Sequence, residues 1–421
     1  MTSVFVVTRH FPPIGSPGAS IRLVKLMKYA LRRGWSFTVL TIDPDRPVVP
    51  EEKASGFLLK DLNDEVQIER IGNPLYRPHG LLKLLANLMG DSSLPWSLKI
   101  IGEGKKLLHQ KKADLIFVNA PPFTNLFAGT VLSLLSSTPI VMDIKDDWVG
   151  SPDFFKKPWW RRKIESWLQG LFFELASCVI VVTEKSFHET MERYPKFAKA
   201  GKFVFIPNGH DLDEYHILEQ RTKKIETRRF TLLSAAAGYR PDYRDLTPFL
   251  NGLDVFIKRC PEAKEKLELV FLGEKPVAYE ELINQMGLGE LTFYAGMVDR
   301  ERMVEWLWDA DLLFLVQPRG NTTAISGTLY EYWAVGKAPI LLISEEGASS
   351  ALVKDHHLGE HVGFDQPEKV ADVLEKIYRA YRSGKPIWID RAGVERYNRK
   401  LLADQMMECW QKAIRSNKAS R

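Results

Sequence analysis

Gly327-Thr328-Leu329-Tyr330-Glu331-Tyr332-Trp333-Ala334-Val335-Gly336-Lys337-Ala338-Pro339-Ile340 reads as a polar turn, a short helix, a glycine stop and an apolar strand. A helix that opens this way points its first backbone N–H groups, and the positive end of its dipole, at whatever lies before Gly327. A phosphate fits there. Glu331 falls one turn inside, within reach of a ribose diol. An ordinary buried helix of an α/β domain has the same pattern, so the surrounding sequence must decide.

Working outward, short β-rich apolar runs alternate with longer helical patterns, which predicts parallel sheets flanked by helices. In the first half the predicted strands are Val4–Thr8, Ser36–Thr41, Val66–Ile71, Leu115–Asn119, Ile140–Ile144, Val179–Thr183 and Phe203–Pro207, with helical patterns at Ile21–Arg32 and Lys163–Ala176. The alternation restarts at Phe230–Ala236 and continues through Leu267–Leu272, Leu291–Ala295, Leu312–Val316, Ala338–Ile343 and Glu360–Phe364. Between the halves, Asn208-Gly209-His210-Asp211 is a turn, and the charged segment up to Arg229 lacks apolar periodicity. The predicted fold class is therefore α/β, with two tandem Rossmann-like domains. The first spans residues 1–210, the second 211–386, and a closing helical pattern over Ile387–Ile414 opens the segment 387–421. In such sheets ligands bind beyond the carboxyl ends of the strands, so two facing domains are expected to form a cleft.

With 421 residues, 45% of them hydrophobic, there is enough chain for two full cores. A net charge of +5 is too mild to argue for nucleic acid, and no RNA- or DNA-binding motif is present. Cys178, Cys260 and Cys409 are scattered without metal-ligand spacing and read as reduced thiols of a cytoplasmic protein. Met1–Val7 leads directly into a strand, so no secretory leader is expected, and no apolar run approaches the ~18 residues of a membrane span.

The motifs resemble the GT-B-fold retaining glycosyltransferases, and among them the family-four group that builds bacterial surface polysaccharides. Four blocks carry the likeness: Arg9-His10-Phe11-Pro12-Pro13-Ile14-Gly15-Ser16-Pro17-Gly18-Ala19 with Arg22; Asp143-Ile144-Lys145-Asp146-Asp147-Trp148; Phe205-Ile206-Pro207-Asn208-Gly209-His210-Asp211; and the Glu331 helix. The resemblance implies a nucleotide-sugar donor and a glycan or lipid-linked glycan acceptor. It also implies a last helix that returns to the first domain. Gly15 and Gly18 would approach the donor with positive φ. Asp146 and His10 would orient the acceptor, with Trp148 as a stacking face; a simple turn-capping role for Asp146 is the alternative. Arg240 or Arg244 would grip the diphosphate in two-pronged fashion. Alternatively these arginines are solvated and paired with Asp242 or Asp245. Gly273 and Lys275 end one strand facing the donor, and Met297 and Val298 follow another, against the base. The backbone at Gly327, Thr328 and Leu329 would meet phosphate, and Glu331 the ribose.

No metal or other cofactor is expected, because basic residues and a helix N-terminus take the diphosphate charge in this group. The chain departs from the family pattern at Thr323, where a second glutamate is common, and at Thr328, where a lysine is common. Two rivals follow: a degenerate relative acting as a scaffold or regulator, and a sugar-nucleotide 2-epimerase, which shares the two-domain plan. Finally, Phe154-Phe155-Lys156-Lys157-Pro158-Trp159-Trp160-Arg161-Arg162-Lys163 interleaves aromatics with cations, and Leu81–Met89 is apolar. Together they make an anionic membrane surface a candidate partner, with a peripheral location on the inner face of the plasma membrane.

Overall fold

Each of the apolar runs above becomes a strand of a parallel sheet. The computed structural model describes residues 2–14, 17–43, 55–72, 80, 83, 94–219, 229–236 and 238–419, divided into one unit of Met1–Asn208 with Arg399–Arg421 and another of Gly209–Asn398. Gly15, the stretch Leu81–Met89 apart from Lys83, and most of the charged linker after Glu219 lie outside the described residues.

The first unit runs β1 (Thr2–Val7), α1 (Pro17–Leu31), β2 (Trp35–Ile42), β3 (Val66–Ile71), α2 (Leu94–Gln110), β4 (Leu115–Ala120), α3 (Thr124–Ser136), β5 (Ile140–Ile144), α4 (Trp159–Leu175), β6 (Cys178–Val181), α5 (Glu184–Arg193) and β7 (Phe203–Phe205). Its seven strands lie in the order β3-β2-β1-β4-β5-β6-β7, all parallel, with Val4 beside both Phe37 and Leu115. β4 is buried at every position, as expected where helices cover both faces of a sheet. Alternate side chains feed two cores: Phe5, Val7, Ile116 and Val118 face α2 and α3, while Val4, Val6, Leu115 and Phe117 face the other way.

The second unit repeats the plan with β8 (Phe230–Ser234), α6 (Thr247–Arg259), β9 (Leu267–Leu272), β10 (Thr292–Gly296), α7 (Arg300–Asp309), β11 (Leu312–Val316), α8 (Gly327–Val335), β12 (Ile340–Ile343), α9 (Ala348–Asp355), β13 (Gly359–Val362) and α10 (Pro367–Arg382). Six parallel strands follow the order β10-β9-β8-β11-β12-β13 around one core. Gly336 ends α8 at φ 63°, and a β-carbon there would collide with Arg391.

The helical pattern predicted from Ile387 does not begin there. Residues 387–398 stay with the second unit, and the long helix α11 is Arg399–Ala419. Gly393 at φ 84° and an extended Asn398 stop any earlier start. α11 belongs to the first unit, where Trp410 is buried against Trp35, Phe37 and Phe117 at centroid distances of 5.3, 6.0 and 5.1 Å.

Candidate functional site

In both sheets the strand order reverses direction beside the first strand, and that switch opens a crevice at the strands' carboxyl ends. In the first unit the switch lies between β1 and β4, and two threonine hydroxyls hold the loop after β1 by its carbonyls: Thr8 Oγ1 donates to the His10 carbonyl at 3.2 Å and Thr41 Oγ1, on β2, to the Arg9 carbonyl at 3.0 Å. His10 is half-buried, and its Nδ1 has no hydrogen-bond partner among the described residues. Burial, then the charges of Arg9 and Lys145, lower its pKa to about 4. The ring is thus neutral at physiological pH, with an acceptor or donor nitrogen available to a hydroxyl.

Beyond β5, Asp143 is locked to Arg22, with Nε 3.0 Å from Oδ2 and Nη2 3.0 Å from Oδ1. Lys145 is pulled down in pKa by burial, against the opposing pull of Asp143 and Asp146. Asp146 is exposed at the rim. The protein atoms crowded around it push its carboxyl upward, more than Lys145 pulls it down, an effect that contact with water moderates. The charge of Lys145 thus bears on both His10 and Asp146, which follow β1 and β5 at the carboxyl end of the same sheet. Asp146 does not cap the following turn; Ser151 does, accepting from the Phe154 N–H at 3.2 Å.

Two expectations fail here. Trp148 is fully buried, stacked on Phe123 at 4.9 Å and donating to Glu165 at 3.0 Å, so it offers no face to a sugar. Gly18 is the second residue of α1 and is not among the positive-φ glycines; open space surrounds it.

In the second unit the switch lies between β8 and β11, and α8 begins there. The Tyr332 hydroxyl accepts from the Ala235 N–H at 2.8 Å, tying α8 to the end of β8. Arg244 lies over Tyr239 and Tyr243 at 6.0 and 5.7 Å and bears electrostatically on Tyr332. Arg240 is exposed and pairs with Asp242 at 3.1 Å. Lys275 lies 4.7 Å over Tyr294 and is ion-paired with Glu280. Gly273, at φ 103°, donates to the Gly296 carbonyl at 2.7 Å, and Met297 is exposed beside it, with Val298 half-buried after it. Gly327 and Thr328 are half-buried at the start of α8, while Leu329 points into the core.

Glu331 is not an open carboxylate. It is 6% exposed, accepts from the Tyr215 hydroxyl, and lies 2.7 Å from Arg300 Nη2, which also holds Glu214 at 2.6 Å. Arg300 supplies the charge that lets two carboxylates be buried together. Sequence reading missed Arg300, which shows only as the residue after Asp299, the cap of α7. Among the described residues no three metal-ligating side chains cluster.

Protonating His10 is disfavoured in the fold, so the unfolded chain binds the extra proton between the unfolded value of 6.5 and the folded value of about 4. Stability of the first unit is therefore expected to fall as pH drops through that window, by at most about 3 kcal/mol. Melting curves for the wild type and His10→Gln check it; the variant should lose this part of the slope, and parallel curves would remove His10 as its source.

Residues 18–209 match the family described as glycosyl transferase 4-like domain. No curated protein matches the sequence. Among solved structures, sucrose-phosphate synthase from Thermosynechococcus elongatus is 17% identical, covering 98% of this chain and 99% of its own, with a TM-score of 0.67. HepE from Anabaena, in complex with UDP and glucose, is 16% identical over 97% and 99%, with a TM-score of 0.64. The α,α-trehalose 6-phosphate synthase of Burkholderia multivorans is 15% identical over the whole of both chains, also at 0.64. At these identities the structures establish the fold, GT-B with two Rossmann-like units, while the family match covers residues 18–209, within the first unit apart from Gly209.

Proposed function

We propose that this chain, with its glycosyl transferase 4-like domain and GT-B fold, is a retaining glycosyltransferase of polysaccharide assembly. It moves a hexosyl or N-acetylhexosaminyl group from a nucleoside-diphosphate-sugar to a glycan or polyprenyl-linked glycan. The observation that carries the reading is α8, whose open N-terminus at Gly327–Thr328 sits at the switch point of the second sheet with Glu331 one turn inside. HepE's complex with UDP and glucose supports a nucleotide-sugar donor of that kind.

In this reading the Gly327 and Thr328 N–H groups meet the diphosphate, with Arg240, Arg244 and Lys275 as counter-charges in place of a metal ion; the Leu329 N–H, expected to join them, already donates to the Ser326 carbonyl at 3.0 Å. Glu331, charge-balanced by Arg300, accepts from the ribose diol. Gly273, Met297 and Val298 receive the base. The acceptor hydroxyl, oriented by neutral His10 and by Asp146, bonds to the anomeric carbon as the carbon–oxygen bond to the β-phosphate breaks on the same face. Its proton passes to the departing phosphate oxygen. Such an enzyme works in the cytoplasm or on the inner face of the plasma membrane.

One observation favours a scaffold instead: Arg240, Lys275 and Arg319 are each already paired with a carboxylate, and Thr328 adds no charge. Thermal melting with UDP-, GDP-, dTDP- and ADP-sugars separates the two. A donor at 100 times its Kd is expected to add about 2.7 kcal/mol, a shift that Glu331→Ala should remove. No shift with any donor would leave the scaffold reading standing.

A further inference from the structure

Helix α4 is polarised the wrong way for a helix facing water on one side. Its inner face buries Glu165 and Gln169 along with Phe172 and Phe173. Its outer face carries Trp160, Ile164 and Trp167, spaced as a single helical stripe, and all three are exposed. Trp159 and Trp167 are 64% and 65% exposed, and Phe155, just before the helix, is 58% exposed. Monomeric proteins rarely leave several large aromatics together in water.

The charges around this stripe have one sign in excess. Residues 151–167 hold five cations, Lys156, Lys157, Arg161, Arg162 and Lys163, against two carboxylates, Asp153 and Glu165. Glu165 is fully buried and gathers Lys157 at 2.7 Å and Arg161 at 2.8 Å, so it fixes the base of the helix, while Lys156 pairs at the surface with Asp153 at 2.9 Å and Arg162 and Lys163 have no carboxylate partner among the described residues. Lys163 lies 5.1 Å over Trp159. Beside Trp167, a groove of about 330 Å³ is lined by Leu171, Tyr194 and Phe197 and edged by Lys196.

We propose that this face docks the first unit on an anionic phospholipid bilayer, with the tryptophans seated at headgroup depth and the cations on lipid phosphates. Tryptophan suits that boundary because one ring is both apolar and a hydrogen-bond donor. The same helix reaches the candidate acceptor loop: Glu165 accepts from Trp148, two residues after Asp146. Docking would therefore hold that loop close to the lipid surface, where a lipid-carried acceptor resides; this last step rests on the transferase reading, whereas docking itself does not.

The test is flotation of the full chain with vesicles of phosphatidylcholine alone or with phosphatidylglycerol. Binding is expected only with phosphatidylglycerol present and should weaken as salt is raised. Trp160→Ser with Trp167→Ser is expected to lower the partition constant at least about tenfold, and Lys156→Gln and Lys163→Gln about fivefold each. All four positions are exposed, so unchanged melting curves are expected for the variants. Absence of binding at low salt would overturn the proposal. So would variants that bind like the wild type, or a self-association of the wild type without lipid that the tryptophan variants abolish. Donor-induced melting shifts, read without vesicles, fail or succeed independently of all these outcomes.

Discussion

Arg22→Leu is expected to destabilise the first unit by about 3–5 kcal/mol, the cost of leaving a buried carboxylate without its counter-charge. The Arg22 and Asp143 side chains are 5% and 2% exposed. The guanidinium meets both carboxylate oxygens and also donates to the Ile206 carbonyl at 2.9 Å and the Pro207 carbonyl at 2.5 Å. One side chain therefore joins α1, the end of β5 and the segment that leaves β7. Asp143→Leu added to Arg22→Leu should recover part of the loss, because removing both charges leaves no stranded ion. With two units, global unfolding is not a single transition, so segment-resolved hydrogen exchange is the proper readout. Protection should fall in β5 and β7 and hold in β8–β13. Wild-type protection in β5 would show that water or Lys145 replaces the arginine.

The parallel strands were legible because burial on both faces demands near-continuous apolar runs, and Leu115–Ala120 or Leu312–Val316 admit no other reading at that length. Boundaries shifted by a residue or two where a run overshoots its pairing partner, as at Phe203–Pro207, where the strand itself ends at Phe205. The false extension of the last helix back to Ile387 has a plain cause. Ile389 and Val394 are buried in the second unit's core, so their apolar character marks burial and carries no helical period.

The candidate site was legible only in part. A motif places Asp146 and His10 just beyond strand ends and Glu331 one turn into a helix, which backbone topology fixes. It says nothing about which side chains reach them from distant sequence. Trp148 looked like a platform because an exposed and a buried indole are written alike; the contact with Phe123 and Glu165 is set by α4 packing. Arg300 and Tyr215 were silent for the same reason, being 85 residues apart in sequence and brought together by Glu331 and by Glu214, the neighbour of Tyr215.

That junction makes Arg300→Met the second large effect. Its side chain is 14% exposed, and those of Glu214 and Glu331 are 9% and 8% exposed. Removing the guanidinium leaves two carboxylates confined together with the Tyr215 hydroxyl, so about 3–5 kcal/mol of the second unit's stability should be lost. Part of this is recoverable by letting one carboxylate take up a proton, so the loss should shrink as pH falls. Hydrogen exchange should show the weakening in α7 and α8, leaving β1–β7 unchanged. The ligand response should change with it, since a Glu331 no longer oriented by Arg300 cannot present a fixed oxygen to a diol. Tyr215→Phe separates position from charge: it removes one hydrogen bond, should cost about 1–3 kcal/mol, and should leave the Arg300–Glu331 pair intact. A donor-induced melting shift that survives Tyr215→Phe and disappears in Arg300→Met would assign Glu331's orientation to the ion pair. Survival of the shift in both would mean that the nucleotide is held elsewhere, by the start of α8 and the β8 loop.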